Sequence, residues 1–190
     1  MRKSLPIYPT LGEVHQMAGL APNERDRMLV MLLWWTGGRI SEVLSIRVGD
    51  ITTSGVRMKN LKQHQPMEKH VFLSPDVLHE LRAFCVGKPL GSFLIGRDRD
   101  GGRISRKHGW AIVKRLALAA GVLRRRFGAE SDEPIWPHTL RHGYAVNLLS
   151  QGVPITAVQG QLGHASLANT AIYTQLADPQ RQAMVARAKF

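Results

Sequence analysis

The segment "PHTLRHGY", residues 137 to 144, sets His138 and Arg141 three positions apart, with His142 and Tyr144 beside them. On a helix that spacing makes two side chains neighbours, so an imidazole and a guanidinium could address one target together. Arginine suits phosphate in such a place, because its planar fork stays charged and donates two parallel hydrogen bonds. From Pro134 to Ala177 the chain contains no Asp or Glu. The anion that these cations meet must therefore come from a distant part of the sequence or from outside the protein. A His-x-x-Arg pair alone is a weak pattern, common by chance, and gains weight only from two further stretches.

The first is "TGGRISEVLSIRVGDI", residues 36 to 51. Arg39 follows two glycines and precedes the apolar positions Ile40, Val43 and Leu44, which predicts a half-buried guanidinium. Such a group needs a partner, and Glu42, three residues on, is placed to orient it. The second is "LGHASLANTAIYTQL", residues 162 to 176, with His164 at a helix end and Tyr173 nine residues later. A lone tyrosine is usually core or interface, but a phenol can attack phosphorus when nearby cations stabilise its developing charge. His142 is expected to be a buried, hydrogen-bonded histidine supporting the site, and Tyr144 to pack in the core. His138 and His142 have the i, i+4 spacing of a zinc pair, yet no Cys or carboxylate lies near them, so no metal and no cofactor is expected.

These residues need elements to position them. Thr10-x-x-Glu13 is a capping box opening a short helix. Residues 24 to 36 form a strongly apolar, buried helix that ends at Gly37-Gly38, and Ser41 to Arg47 continues as another short helix. Between Asp50 and Ser74, β-rich "ITTSGVRM" and "HVFLS" flank the polar "NLKQHQPMEK", which predicts a small hairpin. Pro75 starts a helix to about Cys85, Ser105 caps one that stops before Gly121, and from His138 the chain is helical with breaks at residues 152–154 and 163–164. The fold class expected is mainly α with a small antiparallel β-sheet or hairpin (α+β).

The chain of 190 residues carries 26 Lys and Arg against 14 Asp and Glu, a net charge of +12. Surplus of that size points to a polyanion, nucleic acid first among them. Residues 97 to 126 alone hold ten basic side chains against Asp98 and Asp100. Of these, Arg103, Arg106, Lys107, Lys114, Arg115, Arg124, Arg125 and Arg126 are the candidate DNA contacts. No stretch is apolar enough to span a bilayer, the N-terminal residues lack a signal-peptide core, and no lipidation signal is present. A membrane partner is therefore not expected. The single Cys85 allows no internal disulfide, and a reducing, cytoplasmic (nucleoid-associated) setting is expected.

Three blocks in this order, "TGGRISEVLSIRVGDI", "HTLRHGYAVNLLSQGV" and "LGHASLANTAIYTQL", resemble the tyrosine recombinases, or phage integrase family, over about 150 residues. The resemblance implies site-specific cleavage and rejoining of double-stranded DNA without metal, through a 3′-phosphotyrosyl link to Tyr173. It implies that Arg39 and Arg141 hold the non-bridging oxygens, that His138 takes the tyrosine proton, and that His164 adds a hydrogen bond. The family also has a hairpin lysine that protonates the leaving 5′-oxygen; Lys59 and Lys62 both fit, and Lys62 is preferred. A non-cleaving DNA-binding regulator with the same fold is the alternative, and a metal-dependent nuclease a weaker one. Relatives usually carry a further N-terminal domain. With about ten residues before the first helix, a single catalytic domain over 1–190 is expected, with an extension at 1–9 and a tail helix at 178–190. That tail either packs on its own domain or docks on a neighbouring protomer, and the family implies a tetramer on DNA from a free monomer.

Overall fold

The computed structural model describes residues 7–60, 67–97, 99–125 and 131–163. Helix α1 (Leu11–Gly19) begins at the expected capping box: Thr10 Oγ1 accepts from Glu13 N at 3.3 Å and Glu13 Oε2 accepts from Thr10 N at 2.7 Å. Helix α2 (Glu24–Thr36) is buried without interruption from Met28 to Trp34. A helix apolar on every side has no solvent face and must lie inside, and α1, α5 and α6 pack around it. Each of its fully buried aliphatic side chains removes enough apolar surface for ~1.5–3 kcal/mol.

After α2 the chain turns sharply. Gly37 has φ 56°, and a Cβ there would sit 2.3 Å from the Tyr144 ring and 2.8 Å from Leu162 Cδ2. Both the left-handed backbone and the close approach require glycine. Helix α3 is shorter than expected, Ile40–Val43 rather than Ser41 to Arg47. The cause is a competing pairing: Ile46 O accepts from Leu94 N at 2.9 Å and Arg47 bridges to Phe93, which draws the chain out straight. A 3-10 turn at Val48–Asp50 follows.

Strands β1 (Gly55–Asn60) and β2 (Met67–Phe72) form the expected antiparallel hairpin, with Val56 opposite Val71, Met58 opposite Lys69 and Lys59 opposite Glu68. Side chains alternate across a strand, so Val56, Met58, Lys69 and Val71 share the face turned to the core. Helix α4 (Pro75–Cys85) starts at Pro75 and helix α5 (Arg106–Ala119) at its Ser105 cap, as the sequence predicts, and Ser74 adds a cap to α4. A second antiparallel pair, β3 (Leu123–Arg125) with β4 (Asp132–Pro134), forms a separate two-stranded sheet that the sequence did not predict. Helix α6 (Pro137–Ser150) opens with proline in its first turn, and α7 (Ile155–Leu162) ends at Gly163, φ 65°. Tyr144, Ala145 and Val146 of α6 meet Val158 and Leu162 of α7 in a small second core. No described helix is long and apolar enough to cross a membrane. The architecture is mainly α with small antiparallel sheets.

Candidate active site

Arg39 is the N-cap of α3, and both its ends engage Glu42. The backbone N donates to Glu42 Oε2 at 3.1 Å and Nη1 donates to Oε1 at 2.6 Å. The Glu42 side chain is wholly buried while that of Arg39 is 26% exposed. The carboxylate thus serves as an internal anchor, and the guanidinium retains access to solvent.

Arg141 lies deeper, at 1% exposure. Its Nη1 donates to Gly37 O at 2.6 Å and its Nη2 to Leu162 O at 2.9 Å. A buried charge is tolerable when hydrogen bonds satisfy it, and these two carbonyls come from the turn after α2 and the end of α7. The Gly37-Gly38 turn therefore does two jobs: its first carbonyl receives Arg141, and two residues later it delivers Arg39.

A third cation, absent from the sequence-based candidates, sits between them. Lys69 Nζ lies 3.3 Å from Glu42 Oε2 and donates to Leu162 O at 3.1 Å. Burial is the largest influence on this amine and lowers its pKa; Glu42 opposes that, Arg141 and Arg39 reinforce it, and the value is pushed down to about 8. Both arginines are thus near enough to Lys69 to act on it. Burial pushes the Glu42 carboxyl up, but Lys69 and then Arg39 outweigh it and hold the group below the ordinary carboxylate range. Strand parity sets Lys69 of "MEKHVF" on the face of Val71, but that face is known to turn inward only from the register with Met58.

His138 is exposed at the start of α6, and its ring meets that of His142 edge-on with centroids 4.6 Å apart. His142 is half-buried behind it. Tyr144 packs in the second core as expected, and burial, its main influence, raises its phenol well above the usual value. A groove of about 750 Å³ reaches the site at Arg39, lined also by Ser41, Arg106, Lys107, Trp110 and His138 among others. Of the sequence-predicted residues, then, Arg39, Glu42, Arg141, His138 and His142 belong to elements that meet around α2's C-terminal end. Lys62, His164, Tyr173 and Arg126 lie outside the described residues, as does the tail at 178–190. Lys59 is exposed on β1.

The basic region divides in two. Arg106 and Lys107 line the groove, and Lys114 lies 5.0 Å from the centre of the Trp110 ring on the same helix. Arg115 instead donates to the buried Asp26 Oδ2 at 2.7 Å, and Arg124 holds Glu13 Oε2 at 2.6 Å. These two fasten α5 to α2 and β3 to α1, so their guanidiniums are engaged within the fold. Arg103 is exposed beside its bridge to Gly96, and Arg125 lies on β3. Among the described residues no group of three His, Cys, Asp or Glu could hold a metal ion.

A guanidinium and an amine paired to one buried carboxylate, with a second guanidinium acting on that amine and a cationic groove reaching Arg39, are suited to gripping a phosphodiester. Comparison with known proteins leads the same way. The model of the phage integrase family matches residues 11–180. Tyrosine recombinase XerD of Corynebacterium glutamicum is 32% identical, over 96% of this chain and 61% of its own length. Tyrosine recombinase XerA of Pyrococcus furiosus is 29% identical, over 98% of this chain and 63% of its own. The chain spans about three fifths of the length of these relatives. Among solved structures, the XerA recombinase superposes with a TM-score of 0.74 at 23% identity, covering 98% of this chain and 68% of the other. XerH bound to a difH substrate in a post-cleavage complex gives 0.72 at 22%, covering 97% and 54%. Ordered motif blocks, fold and family model agree: the chain belongs to the phage integrase family.

Proposed function

We propose that this chain is the catalytic part of a site-specific DNA recombinase that cuts and rejoins strands through a phosphotyrosyl intermediate. The observation that carries the reading is the convergence of Arg39 and Arg141 on one turn, both acting on Lys69, with Arg39 lining a groove walled by His138, Arg106 and Lys107. In the proposed reaction, Tyr173 Oη attacks the scissile phosphorus and the bond to the 5′-oxygen breaks. His138 takes the phenolic proton and Lys62 gives one to the departing oxygen. Arg39, Arg141 and His164 stabilise the non-bridging oxygens, whose charge rises in the transition state. Rejoining runs the same steps backwards with another strand's 5′-hydroxyl. No step requires a metal, because fixed cations supply the positive charge.

Double-stranded DNA bearing a recombination site is the proposed partner, with several protomers, four in the complete synapse, meeting on it in the cytoplasm. Lys107, Arg106, Lys114 and Arg103 are the proposed phosphate contacts; Arg125 and Arg126 remain candidates.

A duplex nicked next to the cleavage point tests this, since the short 5′-fragment diffuses away and traps the intermediate. The expected result is a detergent-stable protein–DNA adduct that persists in EDTA and is lost in Tyr173→Phe. DNA binding without an adduct points to a non-cleaving regulator, and cutting abolished by EDTA points to a metal-dependent nuclease.

A further inference from the structure

The C-terminal end of α7 is held from three directions. Lys69 donates to Leu162 O at 3.1 Å, with Gln161 O at 3.5 Å, and Arg141 Nη2 donates to the same Leu162 O at 2.9 Å. The Gln161 carboxamide lies along the outer edge of β2, where Oε1 accepts from Phe72 N at 3.0 Å and Nε2 donates to Phe72 O at 3.3 Å. It thus pairs with both main-chain groups of Phe72, as a neighbouring strand would. One residue further, Gly163 at φ 65° turns the chain out toward position 164.

Unpaired carbonyls at a helix end are ordinarily met by water or a cap. Here the buried Arg141 and the half-buried Lys69 meet them, and Lys69 is also paired to Glu42, the residue that holds Arg39. We propose that Lys69 is a positioning residue: it ties the end of α7 to Glu42, so that Arg39, Arg141 and the chain at Leu162 keep one fixed relation. The hairpin and α7 then act as a clamp on the two arginines. This inference rests on the recombinase reading for its effect on cleavage, but not for its effect on the helix end.

Proton linkage gives a readout that loss of packing would not imitate. The charged groups facing Lys69 are Glu42 and Arg39 from α3 and Arg141 from α6, while α7 presents carbonyls. When the clamp opens, the solvated amine regains its ordinary affinity for a proton, titrating near 10.5 rather than about 8. The open form binds more protons between these values, so opening becomes rarer as pH rises from 8 towards 10, by up to ~tenfold per pH unit. Above and below that window the dependence vanishes.

The experiment is amide hydrogen exchange across residues 158–163 of the whole chain, corrected for the chemical exchange rate, alongside adduct formation on the nicked duplex. Wild type is expected to show the rise in protection between pH 8 and 10. Lys69→Met is expected to lose the pH slope, to lose at least tenfold in adduct rate and to bind DNA within twofold of wild type. Lys69→Arg, which keeps the charge but does not titrate in this range, is expected to lose the slope while recovering most of the adduct rate. Unchanged protection and an adduct rate within twofold in Lys69→Met would overturn the proposal. Should that variant not fold, Gln161→Ala carries the test: protection at 161–163 is expected to fall at least fivefold, and no change overturns it. If wild type forms no adduct, the recombinase reading fails while the exchange measurement still decides the clamp.

Discussion

Glu42 is the residue on which the site's charges balance. Its side chain is fully buried between Arg39 and Lys69. Removing one partner from such a group leaves the other charge uncompensated, which costs ~3–5 kcal/mol in buried pairs. Because Arg39 is partly exposed and Lys69 retains carbonyl partners, Glu42→Gln is expected at the lower end, about 3 kcal/mol, in urea unfolding at pH 7. The pH dependence has a definite sign. Glu42 titrates lower in the folded chain than its ordinary 4.5, so its stabilisation is complete above about that value and is lost as pH falls through the folded one. Thermal melts from pH 7 down to 3 should decline less steeply in Glu42→Gln than in wild type; parallel curves would contradict this. Tyr144 makes a contrasting case. Burial raises the pKa of its phenol and, by seating the ring in the second core, keeps the hydroxyl from a phosphate bound at the surface, despite its place beside the His-x-x-Arg pair. Tyr144→Phe should form the DNA adduct within about threefold of wild type, whereas loss comparable to Tyr173→Phe would refute the assignment of the nucleophile.

At the scale of elements, the turn after α2 decides whether the site assembles. Gly37→Ala combines a left-handed backbone with a Cβ placed 2.3 Å from the Tyr144 ring. The backbone term alone is ~1–2 kcal/mol for a non-glycine residue, and the clash requires α6 or α7 to shift. A loss of at least ~3 kcal/mol in urea unfolding is expected, combining that backbone term with the usual cost of overpacking; stability within 1 kcal/mol of wild type would show that α6 gives way easily. This turn was legible in the sequence because Gly-Gly after an apolar helix leaves few alternatives, and Arg39 with Glu42 was legible from spacing alone. Lys69 was not, because a lysine in a strand ordinarily reads as solvated; only the register that sets it opposite Met58 turns it inward. Strands β3 and β4 escaped notice because three-residue segments such as "LRR" and "DEP" carry no alternation to read. The depth of Arg141 was hidden for another reason: one of its carbonyl acceptors lies 104 residues earlier, a distance no local pattern encodes.

Across the whole molecule, the basic surplus serves two purposes that residue type does not distinguish. Arg115 and Arg124 close ion pairs with Asp26 and Glu13 inside the fold, while Lys107 and Arg106 face the groove. Binding to duplex DNA measured against salt separates them. Lys107→Ala should reduce the slope of log affinity against log salt by ~0.9, the share of one phosphate contact, without changing the melting temperature. Arg115→Ala should do the reverse, lowering stability by about 1 kcal/mol, since Asp26 keeps Arg25, and leaving the slope intact. In the proposed reaction Arg39 and Arg141 grip the same phosphate, whose charge grows during cleavage. A duplex carrying a neutral methylphosphonate at the mapped scissile position tests it most directly, with Arg39→Ala as the variant because its side chain is the more exposed. On ordinary DNA this variant should lose about a hundredfold or more in adduct rate, as for a lost oxyanion donor, and on the methylphosphonate most of that deficit should disappear. An Arg39→Ala deficit of equal size on both substrates would show that the guanidinium does not act on that phosphate's charge.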